Sequence, residues 1–401
     1  MLQSNLIAKL LDMEHVELNT VETDAQTTII SFKLHRNAHT CPQCGGITDH
    51  VHDYRLQVVK DVPSMGKRLI WHYLKRRYRC KCCGKRFYER NYLLPKGHRL
   101  TNRLTAYCIN QLRRKCSQRE IALNVGISPS TIGRWLNLLN YRKPKLLPKV
   151  LSIDEFRGNA GGNKFQCILT EPKAKFVFDI LPTRYGIDLS NYFRSFPNRK
   201  EVQYMVMDMN REYLALAKHH FPNAKVVIDR FHIVRYCTWA LENVRKRVQK
   251  ALTADERKYF KRSRRLLLAR MSKLSDGNKA AVERMLLISP DLREAYLLKE
   301  KFYEFMDSGN SVQARERLKA FHVFATVANI PEFAPCLTML RNWSVYILNA
   351  FDCPYTNGFT EGINNSIKVI KRIAYGYRNF DNFRRRILTT LNTKLEPVSL
   401  H

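Results

Sequence analysis

The sequence predicts an α/β multidomain fold with three parts in order: a β-rich N-terminal segment, a short helical module, and a larger part that opens on strands and ends in helices. Three observations carry this. Two C-x-x-C pairs lie among alternating β patterns before residue 95. A helix-turn-helix pattern follows at Gln118–Leu136. Past a proline-marked linker, "YRKPKLLPK" at Tyr141–Lys149, five short β patterns precede an almost wholly helical run. The expected boundaries are 1–95, 96–147 and 148–401, with a helical insertion at about 231–341. With 401 residues, 45% apolar and 11% aromatic, the chain can bury sizeable cores and is not a disordered protein.

Charge narrows the partner. The chain carries 69 Lys and Arg against 35 Asp and Glu, a formal net charge of +34. Residues 51–150 hold 24 of those cations and only 4 of the acids. A basic block of domain size is the footprint of a polyanion, most simply nucleic acid. No apolar run approaches the ~20 residues needed to span a bilayer. The N-terminus, "MLQSNLIAKLLDMEHVE", lacks the charged-then-apolar order of a signal peptide. A cytoplasmic protein with no membrane partner is expected, and its 11 cysteines then suit metal ligation and burial better than disulfides.

In the first part, "TTIISFKL" at Thr27–Leu34 and "RLIWHYLKRRYR" have the alternation of strands. Cys41 with Cys44, in "CPQCGG", and Cys80 with Cys83, in "CKCCGKRF", are each followed by glycine, which suits the tight backbone of a metal knuckle. Two knuckles complete a tetrahedral Cys₄ site for structural Zn²⁺, with no position left for substrate. Cys82 could replace a partner in the second pair, and His50, His52 or His72 could substitute, although spacing favours Cys80 with Cys83.

In the second part, Ile121, Ala122, Val125, Ile127, Ile132 and Trp135 fit the buried face of two packed helices, with Gly126 in the turn. Ser128 suits an N-cap and Pro129 a first-turn position. The second helix would expose Ser130, Thr131, Arg134 and Asn137, residue types that read a DNA groove. An ordinary helical hairpin is the plainer alternative.

The third part places carboxylates at strand ends. Asp154 closes "VLSID" and Asp208 closes "YMVMD". Glu361 is the lone acid in "TNGFTEGINNSIKVIKR", on a helix opened near Asn357. Three acids converging in a basic protein would favour divalent cations, Mg²⁺ or Mn²⁺, which activate an attacking oxygen at phosphorus and stabilise a leaving one. Lys368, Lys371 and Arg372 on the same helix are candidate DNA contacts, and Asn365 a candidate support. "DRFHIVR" competes: Asp229 also ends a strand pattern, so it could replace Asp208, or Asp229 and His232 could brace the acids.

Taken together, "SIDEF", "VMDMN", "VIDRFHIVR", "TNGFTEGINNSIKVIKR" and "AYGYRNFDNFRRRIL", with the cysteine pairs and the helix-turn-helix, resemble the bacterial insertion-sequence transposases of the ISL-three type, within the DDE superfamily. The resemblance covers nearly the whole chain; the extra Cys82 departs from it. It implies a ribonuclease-H-like catalytic core with an all-helical insertion and an acidic triad on Asp154, Asp208 and Glu361. The implied chemistry is metal-dependent cleavage at the element's terminal inverted repeats, followed by attack of the freed 3′-hydroxyl on target DNA. A homodimer or larger assembly on double-stranded DNA, in the nucleoid, is expected. Two other functions remain open at this point: a zinc-containing helix-turn-helix regulator without catalysis, and a hydrolytic nuclease of the same fold.

Overall fold

The computed structural model describes residues 15–94, 97–139, 143–260 and 263–392. Most of the N-terminal stretch quoted above, the first two linker residues and the extreme C-terminus lie outside the described residues. By internal contact the chain forms two units, Met1–Tyr141 with Val369–His401, and Arg142–Lys368.

The first unit is built on a sheet in the order β1-β2-β6-β5, from β1 (Val16–Thr23), β2 (Thr27–Leu34), β5 (Val51–Ser64) and β6 (Lys67–Arg79), with β7 (Arg86–Tyr88) pairing β6 beyond β2. All pairs are antiparallel except β2 with β6. The period of two decides its faces: Ile30, Phe32 and Leu34 alternate inward with Leu69, Trp71 and Tyr73 to form one core. A small hairpin of β3 (His39–Thr40) and β4 (Ile47–Thr48) carries the first cysteine pair.

Three helices follow: α1 (Asn102–Arg113), α2 (Gln118–Val125) and α3 (Pro129–Leu138). Each start is fixed by local chemistry. Thr101 caps α1, Ser117 and Glu120 form a capping box on α2, and Ser128 with Pro129 opens α3. Gly126 ends α2 at φ 70°, the left-handed conformation that glycine adopts without strain. Their shared core is Leu104, Cys108, Leu112, Ile121, Ala122, Val125, Ile132 and Leu136.

The second unit opens with a sheet in the order β10-β9-β8-β11-β12: β8 (Val150–Phe156), β9 (Gln166–Glu171), β10 (Phe176–Leu181), β11 (Tyr204–Met207) and β12 (Lys225–Ile228). The first three strands are antiparallel neighbours, and β8, β11 and β12 run parallel. Parallel strands need crossovers, supplied by α4 (Gly186–Arg194) and α5 (Arg211–His220). This mixed sheet with flanking helices is the ribonuclease-H-like architecture.

The helical insertion begins directly after β12. It comprises α6 (Arg230–Ala251), α7 (Ala254–Arg257), α8 (Ser263–Leu268), α9 (Asp276–Ile288), α10 (Pro290–Met306), α11 (Ser311–Ala328) and α12 (Ala334–Asp352). Its apolar faces share one core with the sheet, from Leu151 and Met205 to Phe302 and Trp343. The end of α12 returns to the sheet, where Asn349 donates to Val226 O at 2.8 Å. The helical run thus extends past residue 341, because the last turns of α12 pack on β12.

Then come α13 (Gly358–Ile373) and α14 (Phe380–Leu391). The third domain was expected to run from 148 to the end; by contact, residues 369–401 group with the first unit. There α14 packs on the helical module. The buried Arg386 donates to Cys116 O at 2.7 Å, and Arg385 donates to Asn137 Oδ1 at 2.8 Å.

Candidate active site and metal centres

The two cysteine knuckles are backbone copies of each other. Cys41 N donates to Gly46 O at 2.8 Å, and Cys80 N to Lys85 O at 2.9 Å. Gly45 and Gly84 return the bond to the first cysteine's carbonyl, both at φ 72°. The Sγ atoms of Cys41, Cys44, Cys80 and Cys83 all lie within 4.8 Å of one another. Cys41 to Cys83 is 3.6 Å and Cys44 to Cys80 is 3.5 Å. A tetrahedron of Zn–S bonds of about 2.3 Å has edges of about 3.8 Å, so the four thiols fit zinc. Backbone N–H groups of Cys83 and Cys82 lower the Cys80 thiol to about 6. Cys44 rises to about 12: the Gly46 N–H lowers it, but the Cys83 and Cys80 sulfurs outweigh that. Cys83 is raised as well and Cys41 lowered, the split expected of crowded thiols that donate hydrogen bonds to one another. Cys82 and the three histidines lie outside the group.

In the helical module, α3 exposes Ser130, Arg134 and Asn137 and half-buries Thr131. Arg134 donates to Thr131 Oγ1 at 3.1 Å. Asn137 already accepts from Arg385, which leaves its amide N–H groups as the part that can meet a base edge. Trp135, expected in the core, is half-buried against it.

The acids are positioned by strand ends. Asp154 lies in β8, Asp208 directly follows β11, and Asp229 directly follows β12. Parallel register pairs Ile153 with Met207 and Met207 with Ile228, so the three carboxylates leave neighbouring strands at one rim. Asp208 Oδ2 lies 3.1 Å from His232 Nε2, on the first turn of α6. Ligand atoms of Asp208, Asp229 and His232 lie within 4.8 Å of one another. Asp208 Oδ1 and Asp229 Oδ2 are buried with no hydrogen-bond partner. Two such oxygens beside an imidazole nitrogen form a donor set suited to a divalent cation.

The helix bearing Glu361 is pinned on the same strands. Ser152 donates to Asn357 Oδ1 at 2.6 Å, and Thr360 Oγ1 lies 3.1 Å from Ser152 Oγ and 2.8 Å from Thr170 Oγ1. One turn on, Asn364 donates to Asp154 Oδ2 at 2.8 Å, while Glu155 N donates to Asp154 Oδ1 at 2.7 Å. Glu361 is half-buried, and Lys368, Arg372 and Asn365 are exposed. Lys368 donates to Asn365 Oδ1 at 3.1 Å, so Asn365 contacts that lysine rather than an acid. Lys371 is half-buried.

Electrostatics tie the acids together. Burial, then the Asp229 and Glu361 charges, pushes Asp208 up to about 7. Burial, then Asp208, pushes Asp154 up to about 7. Burial and then Asp229 raise Glu361, and burial raises Asp229. The charges of Asp154 and Glu361 thus couple to the Asp208 and Asp229 pair, although neither belongs to the group of ligand atoms that meet within 4.8 Å of one another. Asp154, Glu155, Asp208, Asn210 and His232 line a cleft of about 310 Å³ together with Tyr213, Arg235, Tyr236 and Trp239.

Sequence reasoning did not single out Ser152, Thr170, Thr360 or the Arg184–Glu155 pair, whose oxygens sit 2.8 Å from Arg184 Nη1. Small hydroxyls inside apolar strands give no periodic signal. The aromatic wall was missed too, although Tyr236 and Trp239 fall on the same helical face as His232.

Comparison with known proteins agrees with this layout. A family model described as transposase matches residues 151–387. One described as the zinc-finger of transposase IS204/IS1001/IS1096/IS1165 matches 37–83, and one described as the helix-turn-helix domain of transposase family ISL3 matches 93–140. The chain is similar to the transposase for insertion sequence element IS1001 of Bordetella parapertussis, 27% identical over 376 residues, 91% of this chain and 92% of the relative. The transposase for IS1557 of Mycobacterium tuberculosis is 27% identical over 181 residues, 39% of this chain and 40% of its own. A Lactococcus lactis protein named as an ATP-dependent protease is 35% identical over 108 residues, 27% of this chain and 33% of its own. A zinc ribbon, a DNA-binding helix-turn-helix and a DNA-cleaving domain thus follow one another in a chain that belongs to the ISL3 family of transposases.

Proposed function

We propose that Asp154, Asp208 and Glu361 hold Mg²⁺ or Mn²⁺, with Asp229 and His232 completing the set around Asp208. With these ions the protein cleaves the terminal inverted repeats of its element and joins the freed 3′-end to a target strand. One observation carries the reading: partnerless buried oxygens of Asp208 and Asp229 converge with His232 at the rim of the sheet. Bound there, divalent ions would activate the attacking oxygen and stabilise the leaving one.

The chain's own residues supply the positioning. Asn364 and the Glu155 amide hold both oxygens of Asp154 in one orientation. The Ser152, Thr170 and Thr360 hydroxyls fix the start of α13, and with it Glu361. Arg184 neutralises Glu155, which would otherwise add a further negative charge to the cleft. Lys368, Lys371 and Arg372 contact DNA phosphates, and Ser130, Thr131, Arg134 and Asn137 read the terminal repeats. No helix among the described residues is long and apolar enough to cross a membrane. We place the protein in the cytoplasm on nucleoid DNA, acting as a homodimer or larger assembly because two element ends must be joined in one event.

The test is incubation with Mg²⁺ and DNA carrying the terminal repeats, with cleavage and joining mapped separately. Joined products support the transposition chemistry. Cleavage without joining would reduce the reading to hydrolysis.

A further inference from the structure

Asn137 stands on the exposed stripe of α3 with its amide oxygen already engaged. Ser130, Arg134 and Asn137 follow at steps of four and three residues, which at 100° per residue keeps them within about 60° of one another around the helix. All three are exposed, while Ile132 and Leu136 are buried. From Ser130 to Asn137 the helix rises about 10 Å, close to three base-pair steps of about 3.4 Å. The Asn137 Oδ1 atom accepts from Arg385 Nη1 at 2.8 Å. The amide cannot be turned the other way round: a guanidinium has N–H donors and no acceptor, so the atom that meets it is the oxygen. Arg385 is half-buried and reaches α3 from α14, which is fixed on α1 by its neighbours. Arg386 is buried and donates to Cys116 O at 2.7 Å, and Thr390 Oγ1 donates to Leu112 O at 3.5 Å. Phe383 stacks on Tyr377 with 4.6 Å between ring centroids.

We propose that Arg385 is a specificity-determining residue for the terminal repeat: by engaging the Asn137 oxygen it makes Asn137 a reader that selects guanine and rejects adenine. This rests on the reading that α3 enters the major groove of the repeat. A free asparagine amide pairs best with adenine, donating to N7 and accepting from the N6 amino group. The amide oxygen keeps a second lone pair beside Arg385. To use it, however, adenine would have to bring its amino group up to the guanidinium, donor against donor beside a positive charge. Guanine places O6 at that point, and its N7 and O6 are both acceptors. They match the Asn137 amino group and the positive field of Arg385 together. Thymine offers one acceptor, O4, and cytosine a donor, N4, so each satisfies the pair less well. A residue near the C-terminal end of the chain thus sets what the helix-turn-helix reads, acting through Asn137 rather than by touching the base.

The test uses full-length protein and duplexes carrying the terminal repeat with each base pair varied in turn, ranked by competitive binding without divalent cation. Asn137→Ala marks the pair that Asn137 reads, as the position where base preference is lost, and Arg134→Ala marks the pair read by Arg134. At the Asn137 pair, wild type should favour guanine over adenine by about 5- to 150-fold. Arg385→Met keeps the side-chain length and removes every donor. It should level that preference or reverse it towards adenine, and leave the preference at the Arg134 pair as it was. Arg385→Lys, which keeps a charged donor, should retain guanine. In an Asn137→Ala background, Arg385→Met should change no base preference. A wild-type preference for adenine at the Asn137 pair overturns the inference without any Arg385 variant. So does an Arg385→Met protein that keeps the guanine preference, or one that binds all sequences equally more weakly. If neither Arg134→Ala nor Asn137→Ala alters preference at any pair, the groove-reading role of α3 fails, and the inference with it.

Discussion

Replacing Asp208 with asparagine should stabilise the metal-free protein and abolish its response to metal. Asp208 is pushed from its ordinary 3.8 up to about 7, by burial first and then by Asp229 and Glu361. The sign is opposite to that of a paired surface carboxylate. The unfolded chain loses this proton near pH 3.8 and the folded chain keeps it to about pH 7, so stability falls as pH rises between those values. Above pH 7 the full penalty applies, about 4 kcal/mol for an isolated carboxylate with this shift. Sharing among neighbouring acids, and a side chain that is 25% exposed, reduce the expected gain on neutralisation to about 1–2 kcal/mol. For a unit the size of Arg142–Lys368 that raises Tm by about 2–8 °C. Thermal melts at pH 8 in chelator read this directly. Adding Mg²⁺ at about ten times its Kd should stabilise wild type by about 1.4 kcal/mol and Asp208→Asn by little. A variant that melts lower in chelator, yet keeps the metal response, would show that Asp208 is a structural partner of His232 and refute the reasoning.

Other outcomes follow from the same structure. Purified protein should contain about one zinc per chain; Cys80→Ser should lose it and Cys82→Ser keep it, and the reverse by elemental analysis would reassign the second knuckle. Arg134→Ala should weaken binding to terminal-repeat DNA by about 1–3 kcal/mol if it pairs with a guanine; a loss equal on all sequences in a gel-shift titration would make it a phosphate contact. Because Asp154 and Asp208 are both raised to about 7, protons compete with the cation in mild acid. Calorimetric affinity for Mn²⁺ should therefore fall roughly 5- to 30-fold from pH 7 to pH 6, and a flat profile would remove these carboxylates from the ligand set.

What the sequence showed depended on how local each signal is. The zinc knuckles are complete within C-x-x-C-G, and α3 announces itself through Ser128 and Pro129, so both were legible. Asp154, Asp208 and Asp229 were legible as apolar strands ending in an acid, but their adjacency needed the strand order. The weight of Asp229 and His232 came only with the geometry, since nothing local separates Asp229 from Asp208. Contacts across the chain left no trace at all. Arg385 meets Asn137 over 248 positions, and Asn364 meets Asp154 over 210. A polar residue on an amphipathic helix looks the same whether it faces water or a partner strand. Trp239 was hidden for the opposite reason, because an aromatic residue at helical spacing resembles core until its exposure is known.

The most direct test of the acid set is Mg²⁺-dependent cleavage and joining of terminal-repeat DNA by wild type beside Glu361→Gln. Glu361 is the informative member: it comes from a helix 207 positions beyond Asp154, and burial, then the Asp229 charge, raises its pKa. Wild type is expected to cleave and join. Glu361→Gln is expected to bind the same DNA with unchanged affinity and do neither, because a metal ligand is lost while the DNA-reading surfaces remain. Full cleavage and joining by Glu361→Gln would contradict the assignment.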